Sequence, residues 1–222
     1  PNWKSAFRDF EYSEMSLEKA SKLKHDINLA SNLLNYHGIN IKGKDILDVG
    51  CYLGVQCIGA LEKGANSATG IDIPEYYINQ AVNQDVNASE VLKSRRNHLL
   101  SLHPHLDFSK LFFKDLSVFE MEYENAFDII FSWETFEHIT EPEEALRRIE
   151  KALKPGGISF NVYNPFFCIT GGHSMCTLDY PFAHIILSNY DFKKYIQQNI
   201  PKDVPNNYVD LCYNFFTKNL NR

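Results

Sequence analysis

The chain reads as a doubly wound, mostly parallel α/β sheet with helices on both faces, a three-layer α/β/α arrangement. Three observations predict this class. Short apolar runs alternate with longer amphipathic ones from about residue 14 to residue 162, the pattern of parallel strands joined by crossover helices. The first run, Asp45-Ile46-Leu47-Asp48-Val49, opens into a tight turn, Gly50-Cys51-Tyr52-Leu53-Gly54, followed by helical sequence. Successive runs then end in polar residues at Asp72, Asp115 and Ser132, at the strand ends where open α/β sheets place their ligands.

The elements follow in order. Residues 14–37 form an amphipathic helix, with Ala20, Leu23, Ile27, Ala30 and Leu34 at alternating steps of three and four; Gly38 ends it. Strand one is 45–49, and its helix runs 55–63 and stops at Gly64. Strand two is 67–72, and Pro74 opens a helical region that reaches about residue 100, where His103-Pro104-His105 breaks it. Strand three is Leu111-Phe112-Phe113, closed by Lys114-Asp115, and strand four is 127–131. A helix starts at Pro142, with Ala145, Leu146, Ile149 and Leu153 on one face. Lys154-Pro155-Gly156-Gly157 is a stop and turn, and strand five is 158–162. Beyond it the pattern loosens: a helix over 190–199 and a strand over 208–216 are the expectations.

Composition is that of an ordinary globular chain: 222 residues, 44% hydrophobic and 23% charged. The net charge of −6 gives no overall reason to hold a polyphosphate backbone, so nucleic acid is not an expected partner. Arg95, Arg96 and His98 read as a solvated helix face. No run of about 18 apolar residues exists, so no membrane span is expected. The first residues carry neither a signal-peptide pattern nor an initiator Met, and the sequence reads as a trimmed chain. The five cysteines, at 51, 57, 168, 176 and 212, form no C-x-x-C pair and point to reduced thiols in a cytoplasmic protein. Cys51 reads as a small residue filling its turn, since no histidine lies near it in sequence. His103 and His105, one residue apart and with no matching Cys or acid cluster, read as a helix-ending loop, and no metal is expected.

The chemistry gathers at the strand ends. A glycine turn brings backbone and a helix N-terminus up to a ligand. The second acid, Asp72, follows Asp48 by 24 residues, close to the ~20 expected of an acid that reaches ribose hydroxyls. A nucleoside-containing cofactor is therefore indicated. A nicotinamide-type G-x-G-x-x-G fingerprint would need glycine at 50, 52 and 55, but 52 is Tyr and 55 is Val. No Gly-Lys-Ser/Thr appears, which excludes a P-loop. Each position has a plain structural alternative: a turn former at Asp48, a helix cap at Asp72 ahead of Pro74, a loop acid at Asp115, and a core ring at Trp133.

Taken in register, Asp48-Val-Gly50-Cys-Tyr-Leu-Gly54, Glu137-His138-Ile139 and Leu153-Lys154-Pro155-Gly156-Gly157 resemble the class I S-adenosylmethionine-dependent methyltransferases with Rossmann-like sheets, in their small-molecule branch. The similarity covers about residues 40 to 165. It implies S-adenosylmethionine as cofactor and methyl transfer to a small molecule. By resemblance, Gly50 and Cys51, in the turn closed by Gly54, would approach the methionine part of the cofactor, with Asp48 beneath. Asp72 would hold the ribose hydroxyls and Ile73 would lie against adenine. Asp115 would accept from the adenine amino group, with Leu116 offering a backbone amide. Ser132 and Trp133 would border the methionine chain and the sulfonium. The departure is Tyr52, where the family's turn usually has a middle glycine; its side chain must point away from the cofactor or partly cover it.

The acceptor is less legible. A hydroxyl nucleophile needs a proton acceptor, and histidine suits neutral pH; the candidates are His138, His173 and His184. Residues 164–190 resemble the substrate side of methyltransferases from sugar and surface-polysaccharide pathways. Asn164-Pro165-Phe166-Phe167 lacks the second proline of the N-P-P-Tyr/Phe amino-methyltransferase motif and follows strand five, not strand four, so it reads as a loop. The expectation is one domain over 1–222: a helical cap at 1–40, in which Trp3, Phe7, Phe10 and Tyr12 form a lid, a cofactor core at 41–165, and a substrate side at 166–222. O-methylation of a small hydroxylated molecule, a sugar among the acceptors considered, leads; N-methylation of a small amine and a catalytically silent binding or scaffold protein are the alternatives. Oligomeric state is not legible in the sequence.

Overall fold

A computed structural model describes residues 25–73, 88–169, 171, 181–199, 208–218 and 220. The described chain falls into two compact units, one of residues 25–135 with 141–162, the other of residues 136–140 with those from 163 onward.

The larger unit is the α/β sheet. Its elements are α1 (His25–Tyr36), β1 (Asp45–Val49), α2 (Val55–Glu62), β2 (Ser67–Asp72), α3 (Ala88–Ser101), β3 (Leu111–Asp115), β4 (Phe127–Trp133), α4 (Pro142–Ala152) and β5 (Leu153–Val162). The strands pair in the order β3-β2-β1-β4-β5, and every pairing is parallel. The expected sheet is therefore present, with β1 at its centre and the order turning back on either side of it. Ile46, Leu47 and Val49 are buried in β1, as a strand covered on both faces requires.

The core explains the helix faces. Ile27, Ala30 and Leu34 of α1 pack with Ile41, Ile46, Cys57, Ala60, Ala68, Ile129 and Phe131 in one buried cluster. The part of the 14–37 helix before His25 lies outside the described residues, as do the expected lid aromatics, Trp3, Phe7, Phe10 and Tyr12. Leu92 and Leu99 of α3 pack with Leu53 and Ile58 in a second cluster.

The N-terminal edge of the sheet is tied by charge. Lys154 Nζ reaches Asp45 at 2.7 Å and Asp128 at 2.8 Å, and Lys44 Nζ lies 3.2 Å from Asp128. Burial pushes the Asp128 carboxyl up, but hydrogen bonds from Lys154, the Asp45 N–H and Lys44 outweigh it and bring it down to about 2. Here the expected boundary of β5 is corrected. Leu153 already pairs with Phe127 and Ile158 pairs with Ile129, so residues 154–157 of β5 stand against Asp128 alone. The Lys154-Pro155-Gly156-Gly157 segment is thus a bulge inside the strand that delivers Lys154 to its two acids. A Cβ on Gly157 would stand 2.9 Å from the Lys154 carbonyl and 3.0 Å from that of Asp128, so only glycine allows this backbone approach.

The smaller unit is built on aromatics. It holds a 3₁₀ turn at Phe136–His138 and helices α5 (Ala183–Ile186), α6 (Asn189–Asn199) and α7 (Tyr208–Lys218). Phe192 of α6 stacks on Phe216 of α7 at 4.0 Å and 13°, and Phe216 lies 5.9 Å from the ring of Phe166. The strand expected at 208–216 is a helix. Cys212, Phe216 and Leu220 are buried at a spacing of four, a helical period that the aromatic content of the segment masks.

Candidate active site

The glycine turn sits where β1 ends, and the structure fixes it from two sides. Its own amides are turned inward. The N–H groups of Gly50 and Cys51 donate to the Ile71 carbonyl at 2.9 and 3.1 Å, and that of Gly54 to the Cys51 carbonyl at 2.7 Å. The Tyr52 N–H donates to the Asp72 carboxylate. The turn is therefore not a row of bare donors at these positions, a correction to the simplest reading of its sequence. Gly50 and Gly54 both have φ of 78°. A Cβ at Gly50 would also stand 2.1 Å from Thr135 Oγ1, so glycine is required twice over.

Tyr52 itself has φ of 46° and packs against the Leu53, Ile58, Leu92 and Leu99 cluster. The side chain that replaces the family's middle glycine is accommodated by joining the core. The Tyr52 carbonyl is held by Arg96, which donates from Nε at 2.8 Å and also from Nη2. The guanidinium lies 4.4 Å over the Phe113 ring, and Nη2 is 3.4 Å from Cys51 Sγ. Arg96 is 5% exposed. This corrects the expectation of a solvated position at Arg96, while His98 is exposed as expected, and gives Arg96 a role that the sequence reading missed. The signal was present: Leu92, Arg96 and Leu99 share the 4-3 spacing of a buried helix stripe.

The strand-end acids differ in environment. Asp48 is buried and accepts from Cys57 Sγ at 3.8 Å. Asp72 is buried, and its two oxygens take the Tyr52 and Ile73 amides, the latter at 2.7 Å. Asp115 pairs in register with Asp72 across β2 and β3 and is exposed. It lines a hollow of about 370 Å³ with Lys114, Leu116, Glu120, Glu122 and Tyr123. The Leu116 N–H, expected to serve adenine, donates to the Asp72 carbonyl at 2.8 Å. Ile73 is 45% exposed beside Asp72.

On β4, Ser132 stands in register between Val49 and Asn161. The Ser132 hydroxyl and Trp133 Nε1 are buried polar atoms with no hydrogen-bond partner among the described residues. Trp133 packs 5.5 Å from Phe160 and 6.2 Å from Phe131, so the core role is real, and its N–H still awaits an acceptor. Cys51 and Cys57 are buried, and burial pushes both thiols well up, with the neighbouring Asp48 charge adding to it. Cys51 fills its turn, and its high thiol pKa argues against a nucleophile.

The candidate bases lie in the smaller unit. His138 is half-buried in the 3₁₀ turn after β4, beside the buried Glu137. His184 is buried, its Nε2 lies 2.7 Å from the Phe166 carbonyl, and Phe166 meets its ring edge-on at 5.1 Å. A carbonyl only accepts, so Nε2 carries the proton and Nδ1 is the basic nitrogen. Burial pushes the His184 pKa down, against a smaller upward pull from the Phe166 hydrogen bond. His173 lies outside the described residues.

Comparison with known proteins decides the family. A family description, "Methyltransferase domain", matches residues 20–211. The chain belongs to this methyltransferase family. It is an S-adenosylmethionine-dependent methyltransferase with the class I, Rossmann-like sheet, as the strand-end motifs implied. Among its relatives is a ubiquinone biosynthesis O-methyltransferase of Stutzerimonas stutzeri, 27% identical over 187 residues, covering 81% of this chain and 70% of the relative. A protein of the same name from Chromobacterium violaceum is 32% identical over 146 residues, covering 64% of this chain and 55% of the relative. The chain thus spans between about half and seven tenths of the length of these two methyltransferases. A solved S-adenosylmethionine-dependent methyltransferase from Mesorhizobium loti superposes with a TM-score of 0.46 at 19% identity, covering 62% of this chain and 54% of that one. No helix among the described residues is long and apolar enough to cross a membrane.

The residues present fit the cofactor of this methyltransferase family. Two buried carboxylates stand at the ends of neighbouring strands, the turn above them is anchored, and β4 supplies two orphaned polar atoms at its own end.

Proposed function

We propose that the chain transfers the methyl group of S-adenosylmethionine to a hydroxyl oxygen of a small molecule. The observation that carries the reading is the anchored glycine turn between Asp48 and Asp72, with its Tyr52 amide and carbonyl held by Asp72 and Arg96. The names of the two relatives favour oxygen as the acceptor atom.

In this reading Asp72 holds the ribose hydroxyls, and Ile73 lies against the adenine. Asp115 accepts the adenine amino group. The turn from Gly50 to Gly54, with Cys51 at its base, and Asp48 beneath it shape the methionine end, where the Ser132 hydroxyl and Trp133 Nε1 meet polar atoms. The cofactor, when bound, supplies a methyl group already activated on a sulfonium. The chain's own task is then alignment of the acceptor and removal of its proton. His138, His173 and His184 are the candidate bases; in His184 the basic nitrogen is Nδ1, because Nε2 donates to the Phe166 carbonyl. Residues 41–165 serve the cofactor and 166–222 the acceptor within one methyltransferase domain. The net charge of −6 and the thiol content favour a small acceptor over nucleic acid and a cytoplasmic setting.

The test is calorimetric titration with S-adenosylmethionine, followed by labelled-methyl transfer to a panel of small hydroxylated and amine acceptors. Binding that weakens at least tenfold in Asp72→Asn, with label on oxygen, supports the reading. Label on nitrogen makes the chain an N-methyltransferase, and absence of binding leaves a scaffold. His138→Ala is expected to lower turnover with little change in cofactor affinity; unchanged turnover removes His138 as base.

A further inference from the structure

The loop that ends α3 meets the end of α2 at a cluster unrelated to the cofactor side. Glu62 is the last residue of α2, which runs from the C-terminal end of β1 back toward the N-terminal end of β2. His103-Pro104-His105 lies between α3 and β3, at the same edge. His103 is buried, and its Nδ1 stands 3.1 Å from Glu62 Oε1. His105 is largely exposed, and its Nε2 stands 3.9 Å from the same oxygen. All three ligand atoms lie within 4.8 Å of one another.

We propose that Glu62, His103 and His105 form a binding site for a divalent d-block cation of the zinc class. Two imidazoles and one carboxylate are a recognised donor set for this ion, with the fourth position left to water. Ligand bonds of ~2.0–2.1 Å at tetrahedral angles put donor atoms about 3.3 Å apart. The Glu62–His103 separation already meets that spacing; His105 stands 3.9 Å from Glu62 and within 4.8 Å of the His103 donor, and rotation of this exposed side chain would bring it in.

An ion pair at the helix end would need only one of the two histidines. The second stands 3.9 Å from the same carboxylate oxygen, beyond hydrogen-bond reach and at the outer limit of an ion pair, and an exposed pair of that length holds it only weakly. Pro104 fixes its own φ and restricts His103 to extended backbone, which sets where the two imidazoles leave the loop. The ion would tie the C-terminus of α2 to the segment that leads into β3, and its binding energy would add to folding stability. The site lies at the sheet edge opposite the strand C-termini, so it is structural and separate from methyl transfer.

The experiment is calorimetric titration of the whole chain with zinc chloride alone, after chelator treatment, for the unaltered chain and for His105→Gln and Glu62→Gln, with folding checked by circular dichroism. The expected result is one high-affinity ion per chain, weakened at least tenfold in each variant, and a melting temperature that rises with zinc in the unaltered chain alone. His105→Gln keeps the test decisive should Glu62→Gln fold poorly, since His105 is exposed. An isotherm that is unchanged in His105→Gln, or no binding to the unaltered chain, overturns the proposal and leaves a His103–Glu62 ion pair only.

Discussion

Replacing Arg96 by Met tests whether the glycine turn is held from outside itself. The guanidinium gives the Tyr52 carbonyl two donors, covers the Phe113 ring at 4.4 Å and is 5% exposed. A hydrogen bond to a charged group is worth about 1.5–3 kcal/mol net, and a desolvated cation–π contact adds about 1–2 kcal/mol. Against this stands the cost of keeping a cation from water, which the variant no longer bears. Met refills most of the volume, so the net loss should be about 2–3 kcal/mol. For a chain of this size, 1 kcal/mol moves the melting temperature by about 2–4 °C, so a fall of about 5–10 °C is expected by circular dichroism. Arg96→Lys should recover less than half of it, because an ammonium cannot present the planar fork. The affinity for S-adenosylmethionine should drop about tenfold in Arg96→Met, as the Tyr52 carbonyl loses the guanidinium that holds it; tenfold is about 1.4 kcal/mol. A variant that melts within 2 °C of the unaltered chain, by the same conversion, and binds the cofactor equally well would refute the reasoning and return Arg96 to a solvated face.

Three more outcomes follow from the packing and the charges. Gly70→Ala puts a methyl 2.6 Å from Cys51 Sγ and 3.0 Å from Phe113 Cδ1; overpacking of this kind costs about 1–3 kcal/mol, and urea melts should show partial recovery when Cys51→Ala is added. Asp128→Asn should lower stability by about 1 kcal/mol at neutral pH, allowing for solvent screening of a partly exposed cluster. Because the folded Asp128 value of about 2 lies below the ordinary 3.8, that contribution is present above about pH 4 and is lost as pH falls through 2; melts of variant and parent should converge there, and a constant gap would contradict the sign. Cys51 and Cys57, buried and with raised thiol pKa values, should react with a thiol reagent only as the chain unfolds; rapid labelling of either in the folded protein would count against the turn packing described.

The sequence by itself determined the sheet. Its strands are short, apolar and bounded by glycine and acid, so period and punctuation locate them, and the order of Asp48, Asp72, Asp115 and Ser132 along the chain already places each at a strand's C-terminal end. Only the tertiary structure decided what those residues touch. Arg96 and Glu62 act across the fold, on partners 44 and 41 residues away at Tyr52 and His103, and no local pattern encodes a partner at that distance. The bulge at 154–157 depends on where Lys154 finds Asp45 and Asp128, and the helix at 208–218 on Phe216 stacking against Phe192. Secondary structure follows from nearest-neighbour periodicity, whereas burial, pairing and charge balance follow from contacts that exist only once the chain has closed on itself.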